Sequence, residues 1–281
     1  MIMNKPIKNL ILDMDGVLWR GDTPMPGLVD FFDTLRAADI GFILATNNAT
    51  KTVMMYTERL ARFGVQVLPQ QILTSAEATA SYLVGRFPPG SAVYVIGAKG
   101  LHDAISARGF HILSVADVHL EAKSSAPITA AAVVAGFSPN MTYQDVAMGA
   151  HLINQGVPFI GTNPDATYPT EIGPMPGAGA TLAMLIAATS VQPVIIGKPG
   201  PVIFQEAVER LGGDPSAVAM VGDRLSTDIQ GAKAAGLQAI LVLSGISTRE
   251  EAETGPVHPD YIFADITELA AFLTQERAVA H

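Results

Sequence analysis

Short apolar runs that stop abruptly at polar residues punctuate this chain, and between them lie stretches with apolar positions at helical spacing. The first run, Asn9-Leu10-Ile11-Leu12, ends at Asp13-Met14-Asp15-Gly16. It reads as a strand buried on both faces that delivers two carboxylates to the open edge of a parallel sheet. Leu28, Phe31, Phe32 and Leu35 then share one helical face, and Gly41 to Ala45 forms a second buried strand ending at Thr46-Asn47-Asn48. Val53, Tyr56, Leu60 and Phe63 mark another helix, with Gly64 placed to close it. A βαβα start of this kind implies a parallel sheet with helices on its faces.

Breakers at Pro88-Pro89-Gly90 interrupt the pattern, and a new series of units follows. Strands are expected at Ala92 to Ile96, Ala130 to Ala135 and Pro158 to Gly161, and helices near Leu101 to Ala107 and Tyr143 to Asn154. A second breaker cluster, Gly173 to Gly179, closes the series, so residues 81–177 are expected to form an inserted domain between core segments 1–80 and 178–281. From Thr181 the doubly wound pattern resumes with an apolar helix and a strand from Pro193 to Ile196, which ends in Gly197-Lys198-Pro199. A helix with Ile203, Phe204, Ala207, Val208 and Leu211 buried precedes the strand Ala217 to Val221, which stops at Gly222-Asp223. Ser226 or Thr227 is expected to cap the short helix beyond it. Strands Gln238 to Leu243 and Tyr261 to Phe263 and a terminal helix complete the chain. Met54, Met55 and Met184 sit in helical patterns and read as core. The expected fold is α/β: a doubly wound, Rossmann-like parallel-sheet core with an inserted α/β cap.

Composition narrows the function. With 281 residues, 49% hydrophobic and 15% charged, the chain reads as a compact globular protein. A net charge of −9 and a pI near 5.0 argue against a nucleic-acid polymer or an anionic membrane surface as the main partner. A small anion would need a local device such as a lysine, a helix N-terminus or a metal. The absence of cysteine excludes disulfides, thiolate catalysis and cysteine-ligated metal sites. The N-terminal MIMNKPIKNL has no apolar signal region, and no apolar stretch approaches the roughly 18 to 20 residues that span a bilayer. A cytoplasmic protein is expected. His102, His111, His119, His151, His258 and His281 show no metal-ligand spacing and read as surface or packing residues. Trp19 reads as a packed aromatic, and Gly177-Ala178-Gly179 as a hinge without the lysine of a P-loop.

Asp13 and Asp15 hold two anions close together, which is costly unless a cation lies between them or one carries a proton. Taken alone, the same DMDG stretch also reads as a solvated turn. The other strand ends weigh against chance: Thr46 and Asn47, Lys198, and Asp223 with Asp228 each follow a predicted strand. In open parallel sheets ligands bind at such carboxyl ends. Two carboxylate pairs, a hydroxyl, an amide and an ammonium form a coherent set for phosphoryl transfer, with Mg²⁺ held by carboxylates and phosphoryl charge met by lysine and neutral donors.

DMDGVLW, TNN, GKP and GDRLSTDI, in that order and each after a predicted strand, resemble the four motifs of the haloacid-dehalogenase superfamily. The insert between the second and third resembles that of the p-nitrophenyl phosphatases and N-acetylglucosamine-operon nucleotide phosphatases, and YVIGAKGL, GTNPD, PGAGA and LVLSGIS are similar to stretches of the same subfamily. The likeness covers nearly the whole chain; one departure is Gly136-Phe137-Ser138, where many members carry an aspartate after the glycine and apolar residue. The resemblance implies a Mg²⁺-dependent phosphatase of small phosphorylated metabolites. Asp13 would attack phosphorus and form an aspartyl-phosphate, and Asp15 would act as acid and then base. Thr46 and Asn47 would bind the phosphoryl group or orient the nucleophile, and Lys198 would offset the charge of both. Mg²⁺ would be held by Asp13, the backbone carbonyl of Asp15 and Asp223, with Asp228 supporting that shell. In the cap, Asn163 and Asp165 would lie near the leaving group and select the substrate; an Asn-Pro-Asp turn with no ligand role is the competing reading. By family likeness alone, the cap offers a homodimer surface. A receiver-like phosphoacceptor module and a phosphomutase are the alternatives, and the second acid, Asp15, separates the chain from the dehalogenases.

Overall fold

The computed structural model describes residues 7–118, 130–170 and 172–280. They form two compact units: one from Met1–Thr46, Val53–Leu73 and Ile203–His281, the other from Asn47–Thr52 and Thr74–Val202.

The first unit is built on a six-stranded sheet in the order Tyr261–Phe263, Gln238–Val242, Val218–Gly222, Asn9–Leu12, Gly41–Thr46, Ile72–Thr74. Asn9–Leu12 is central and pairs in parallel with both neighbours. Leu10 and Leu12 point into a cluster with Phe31, Phe32 and Leu35 of the helix Leu28–Ala37 and with Leu269 of the terminal helix. Ile11, between them, is equally buried on the opposite face. Burial on both faces is why this strand reads as an unbroken apolar run. The helix Val53–Arg62 buries Tyr56, Arg59 and Leu60, one face at i, i+3 and i+4. Met54 and Met55 therefore lie on its outer face, 61% and 49% exposed, and Met184 is 48% exposed; none of the three is core, contrary to expectation.

The second unit has a five-stranded parallel sheet in the order Val194–Ile195, Phe159–Gly161, Ala130–Ala135, Ala92–Ile96, His111–Leu113, and an antiparallel hairpin, Thr167–Thr170 with Gly173–Pro176. The expected strand at Pro193 to Ile196 thus does not resume the first sheet. It is a two-residue edge strand beside Phe159–Gly161, with Val194 opposite Ile160. The ladder continues past its end, because Ile196 donates to Gly161 O at 3.0 Å and Gly197 to Thr162 O at 2.9 Å. The apolar helix Ala178–Thr189 likewise packs Leu182 and Leu185 into the second core, with Val133, Ala135 and Leu152. Apolar periodicity predicts both elements but carries no signal for which sheet they join. His119 and His281 lie outside the described residues.

Candidate active site

In the first unit, Asp13 stands just past the central strand, and its N–H donates to Val221 O at 2.9 Å. Asp223 directly follows Val218–Gly222 on one side, and Thr46 ends Gly41–Thr46 on the other. The register, Leu12 opposite both Val221 and Leu44, brings these three strand ends level. Here strand order reverses, since one neighbour comes from the next core strand in sequence and the other from far along the chain. This is the point at which open parallel sheets bind ligands.

One oxygen of each of Asp13, Asp223 and Asp228 lies within 4.8 Å of the others. Asp228 reaches this trio from a single wide turn of π-helical type, Leu225–Ile229, a distortion often found at functional sites. Its Oδ2 accepts the Arg224 N–H at 3.1 Å. The expected cap at Ser226 or Thr227 is corrected accordingly: Asp228 reaches back to Arg224, and the helix Gln230–Ala234 has no side-chain cap. Asp223 Oδ2 accepts the Ile246 N–H at 2.8 Å. Three glycines make room for these carboxylates. A side chain at Gly16 or Gly245 would overlap Asp223, and one at Gly222 would overlap Asp228. Gly16 also has a φ of 86°, which side-chain-bearing residues rarely adopt.

Asp223 and Asp228 are each 1% exposed and Asp13 9%. Three carboxylates this close repel one another, and a hard divalent cation offsets that repulsion. The group offers oxygen only, with no imidazole, which suits Mg²⁺ and argues against zinc. Asp15, by contrast, is exposed, and its Oδ1 accepts the Trp19 indole N–H at 2.7 Å. Trp19 is fully buried, as expected of a packed aromatic, and its polar edge orients Asp15 as well. It lies 6.3 Å from the Tyr56 ring, and the Arg59 guanidinium sits 4.5 Å from its centroid. Burial, then the charge of Asp15, push the Tyr56 hydroxyl above its usual range, with the Thr46 side chain acting in the opposite sense. Neither Tyr56 nor Arg59 was among the candidate residues. The only signal was their place on the apolar face of Val53–Arg62.

Asn47, Asn163, Asp165 and Lys198 come together in the second unit. Asn47 Nδ2 donates to Lys198 O at 2.8 Å and to Asp165 Oδ2 at 3.1 Å, and its Oδ1 accepts the Lys198 N–H at 2.7 Å. Asn163 Nδ2 donates to Asn47 O at 2.8 Å, and Asn163 Oδ1 accepts the Asp165 N–H at 3.1 Å. Ser75 Oγ donates to Asn47 O at 2.7 Å, and Gly100 N to Thr50 O at 3.3 Å, so the loop after Thr46 is fastened from several elements.

Converging carboxylates at the switch point of a parallel sheet, with a further acid on the adjoining turn, are a set of groups suited to metal-assisted phosphoryl chemistry. Residues 10–111 match the haloacid dehalogenase-like hydrolase family, and residues 195–269 the HAD-hydrolase-like family. An acid sugar phosphatase from Staphylococcus aureus is 37% identical over 269 residues, covering 96% of this chain and 99% of that protein. The p-nitrophenyl phosphatase from Archaeoglobus fulgidus has a TM-score of 0.86 at 31% identity, covering 95% of this chain and 100% of that one. A glycerol phosphate phosphatase from Mycobacterium tuberculosis, in complex with magnesium, has a TM-score of 0.83 at 32% identity, covering 95% of this chain and 78% of that one. The chain belongs to the haloacid-dehalogenase superfamily and is a phosphatase of the subfamily that the p-nitrophenyl phosphatases represent. Among the described residues, no helix is long and apolar enough to cross a membrane.

Proposed function

We propose that the chain hydrolyses phosphomonoesters of small metabolites with Mg²⁺ through an aspartyl-phosphate on Asp13. The observation that carries this reading is the convergence of Asp13, Asp223 and Asp228 within 4.8 Å at the switch point, with Asp15 exposed two residues beyond the nucleophile. An Asp13 oxygen attacks phosphorus, the bond from phosphorus to the ester oxygen breaks, and Asp15 gives its proton to the departing oxygen. Asp15, now a carboxylate, takes a proton from water as that water attacks the phosphoryl-aspartate. Inorganic phosphate leaves and the Asp13 carboxylate is restored. The Thr46 hydroxyl donates to a phosphoryl oxygen, and the Lys198 ammonium offsets charge on nucleophile and phosphate. Asp13, Asp223 and the Asp15 carbonyl would hold Mg²⁺, with Asp228 in support, and the ion would supply positive charge against the phosphoryl oxygens.

The names of the relatives put sugar phosphates and glycerol phosphate first among candidate substrates. The test is phosphate release from p-nitrophenyl phosphate and a panel of metabolite monoesters, with Mg²⁺ or chelator, for the native and Asp13→Asn proteins. Metal-dependent release that disappears in the variant is expected. Full Mg²⁺-dependent turnover by Asp13→Asn would overturn the mechanism, and a long-lived phosphoaspartate without turnover would favour the receiver-like alternative.

A further inference from the structure

Lys198 is 2% exposed, and both its backbone N–H and its backbone carbonyl are bonded to one side chain, the amide of Asn47. An asparagine amide paired in this way holds the peptide as a neighbouring strand would, and so fixes where the lysine side chain departs from the backbone. Gly197 leaves the space, since a side chain there would overlap Asn47 Oδ1 and Thr162 O. The second hydrogen of Asn47 Nδ2 goes to Asp165 Oδ2, and Asn47 O is held by Asn163 and Ser75. Asn163 is 5% exposed. Its Nδ2 donates to Asn47 O and, at 3.3 Å, to Thr162 Oγ1, so both hydrogens are committed inside the protein. The Asp165 loop is set in turn by the breaker segment: Gly179 N donates to Asp165 O at 2.8 Å, and a side chain at Gly177 or Gly179 would strike the backbone of residues 164–167.

We propose that Asn163 and Asp165 are positioning residues for Lys198, acting through the Asn47 amide, and do not select among substrates by touching the leaving group. The proposal rests on the phosphatase reading above. Removing the Asp165 acceptor frees one Asn47 N–H and lets the amide turn, which loosens both bonds to Lys198. Removing the Asn163 amide releases the Asn47 backbone. Either change displaces the ammonium, and a misplacement of about 1 Å costs on the order of a hundredfold in rate.

The experiment compares Asn163→Ala, Asp165→Ala and Asp165→Asn in the full chain with Mg²⁺, measuring kcat and KM for p-nitrophenyl phosphate, glycerol phosphate and a hexose phosphate. The alanine variants should lose about ten- to a hundredfold in kcat by the same factor for every ester, with KM moving less than about threefold. Asp165→Asn keeps an acceptor oxygen for Asn47 and should recover most of that loss. In an Asn47→Ala background, Asp165→Ala should cost less than about twofold further, because the route through Asn47 is already gone. Losses that differ among the esters, or full additivity with Asn47→Ala, would return the pair to direct substrate contact. Hydrogen exchange of the Lys198 amide, which needs no turnover, gives an independent readout: protection should fall about tenfold or more in Asp165→Ala. Unchanged exchange would overturn the proposal even in an active enzyme. Absence of phosphate release by the native protein would defeat the phosphatase reading, while the exchange result would still decide whether these residues hold Lys198.

Discussion

In the first unit the acidic residues at and just beyond the strand ends are alike: three carboxylates converge, held by backbone N–H groups and by space that glycines leave free. In the second unit they are complementary: the amides of Asn47 and Asn163, the Asp165 carboxylate and the Lys198 backbone bond to one another. The first cluster brings like charges together, and a bound cation would offset their repulsion. The second is held by its own hydrogen bonds. One is therefore expected to respond to metal and charge removal, the other to loss of geometry.

The largest effect tests the role of charge. Asp13→Asn should lower turnover by about four orders of magnitude or more. In chelator the same variant should unfold at higher urea than the native protein, because one of three repelling charges is gone. A variant that is both inactive and less stable would mean that the trio is held by bonds to Asp13 and is not strained. Gly16→Ala comes next, since it combines a strained φ with overlap on Asp223, and it should cost about 2–4 kcal/mol in urea unfolding. Addition of Mg²⁺ at about a hundred times its Kd should stabilise the native protein by about 2–3 kcal/mol, and Asp223→Asn far less. Equal stabilisation of both would place the ion elsewhere.

The smallest effect concerns the buried phenols, Tyr56 in the first unit and Tyr94 in the second. Burial raises both, with Asp15 adding to the effect at Tyr56 and Asp145 at Tyr94. A raised folded value means that above about pH 10 the native protein keeps a proton that the unfolded chain has lost. Stability is then fully present below pH 10 and declines above it, by at most about 1.4 kcal/mol per pH unit for each phenol. Tyr56→Phe should flatten the fall in urea midpoint between pH 9 and 11, measured in chelator, and an unchanged slope would assign the alkaline loss to other groups.

Much of this molecule was legible from local pattern. Asn9–Leu12, Gly41–Thr46 and Val218–Gly222 are apolar runs, so the strands and the polar residues at their ends could be read directly, and Tyr143–Asn154 follows from its spacing. Other features were not local. Val194–Ile195 is a short edge strand whose partner no periodicity names, so the sheet that delivers Lys198 was misassigned. The Arg59 guanidinium over Trp19 and the outward turn of Met54 and Met55 depend on how the helix Val53–Arg62 is rotated against its neighbours.

The sequence by itself determined which residue types follow the strands and the order of the motifs, because both are written in alternation and spacing along the chain. Tertiary structure alone decided that Asp13, Asp223 and Asp228 meet within 4.8 Å and that one asparagine holds both sides of the Lys198 peptide. Asp13 meets Asp223 and Asp228 from the far end of the chain, and Asn47 lies 151 positions from Lys198; strand order and register, not propensity, bring such residues together.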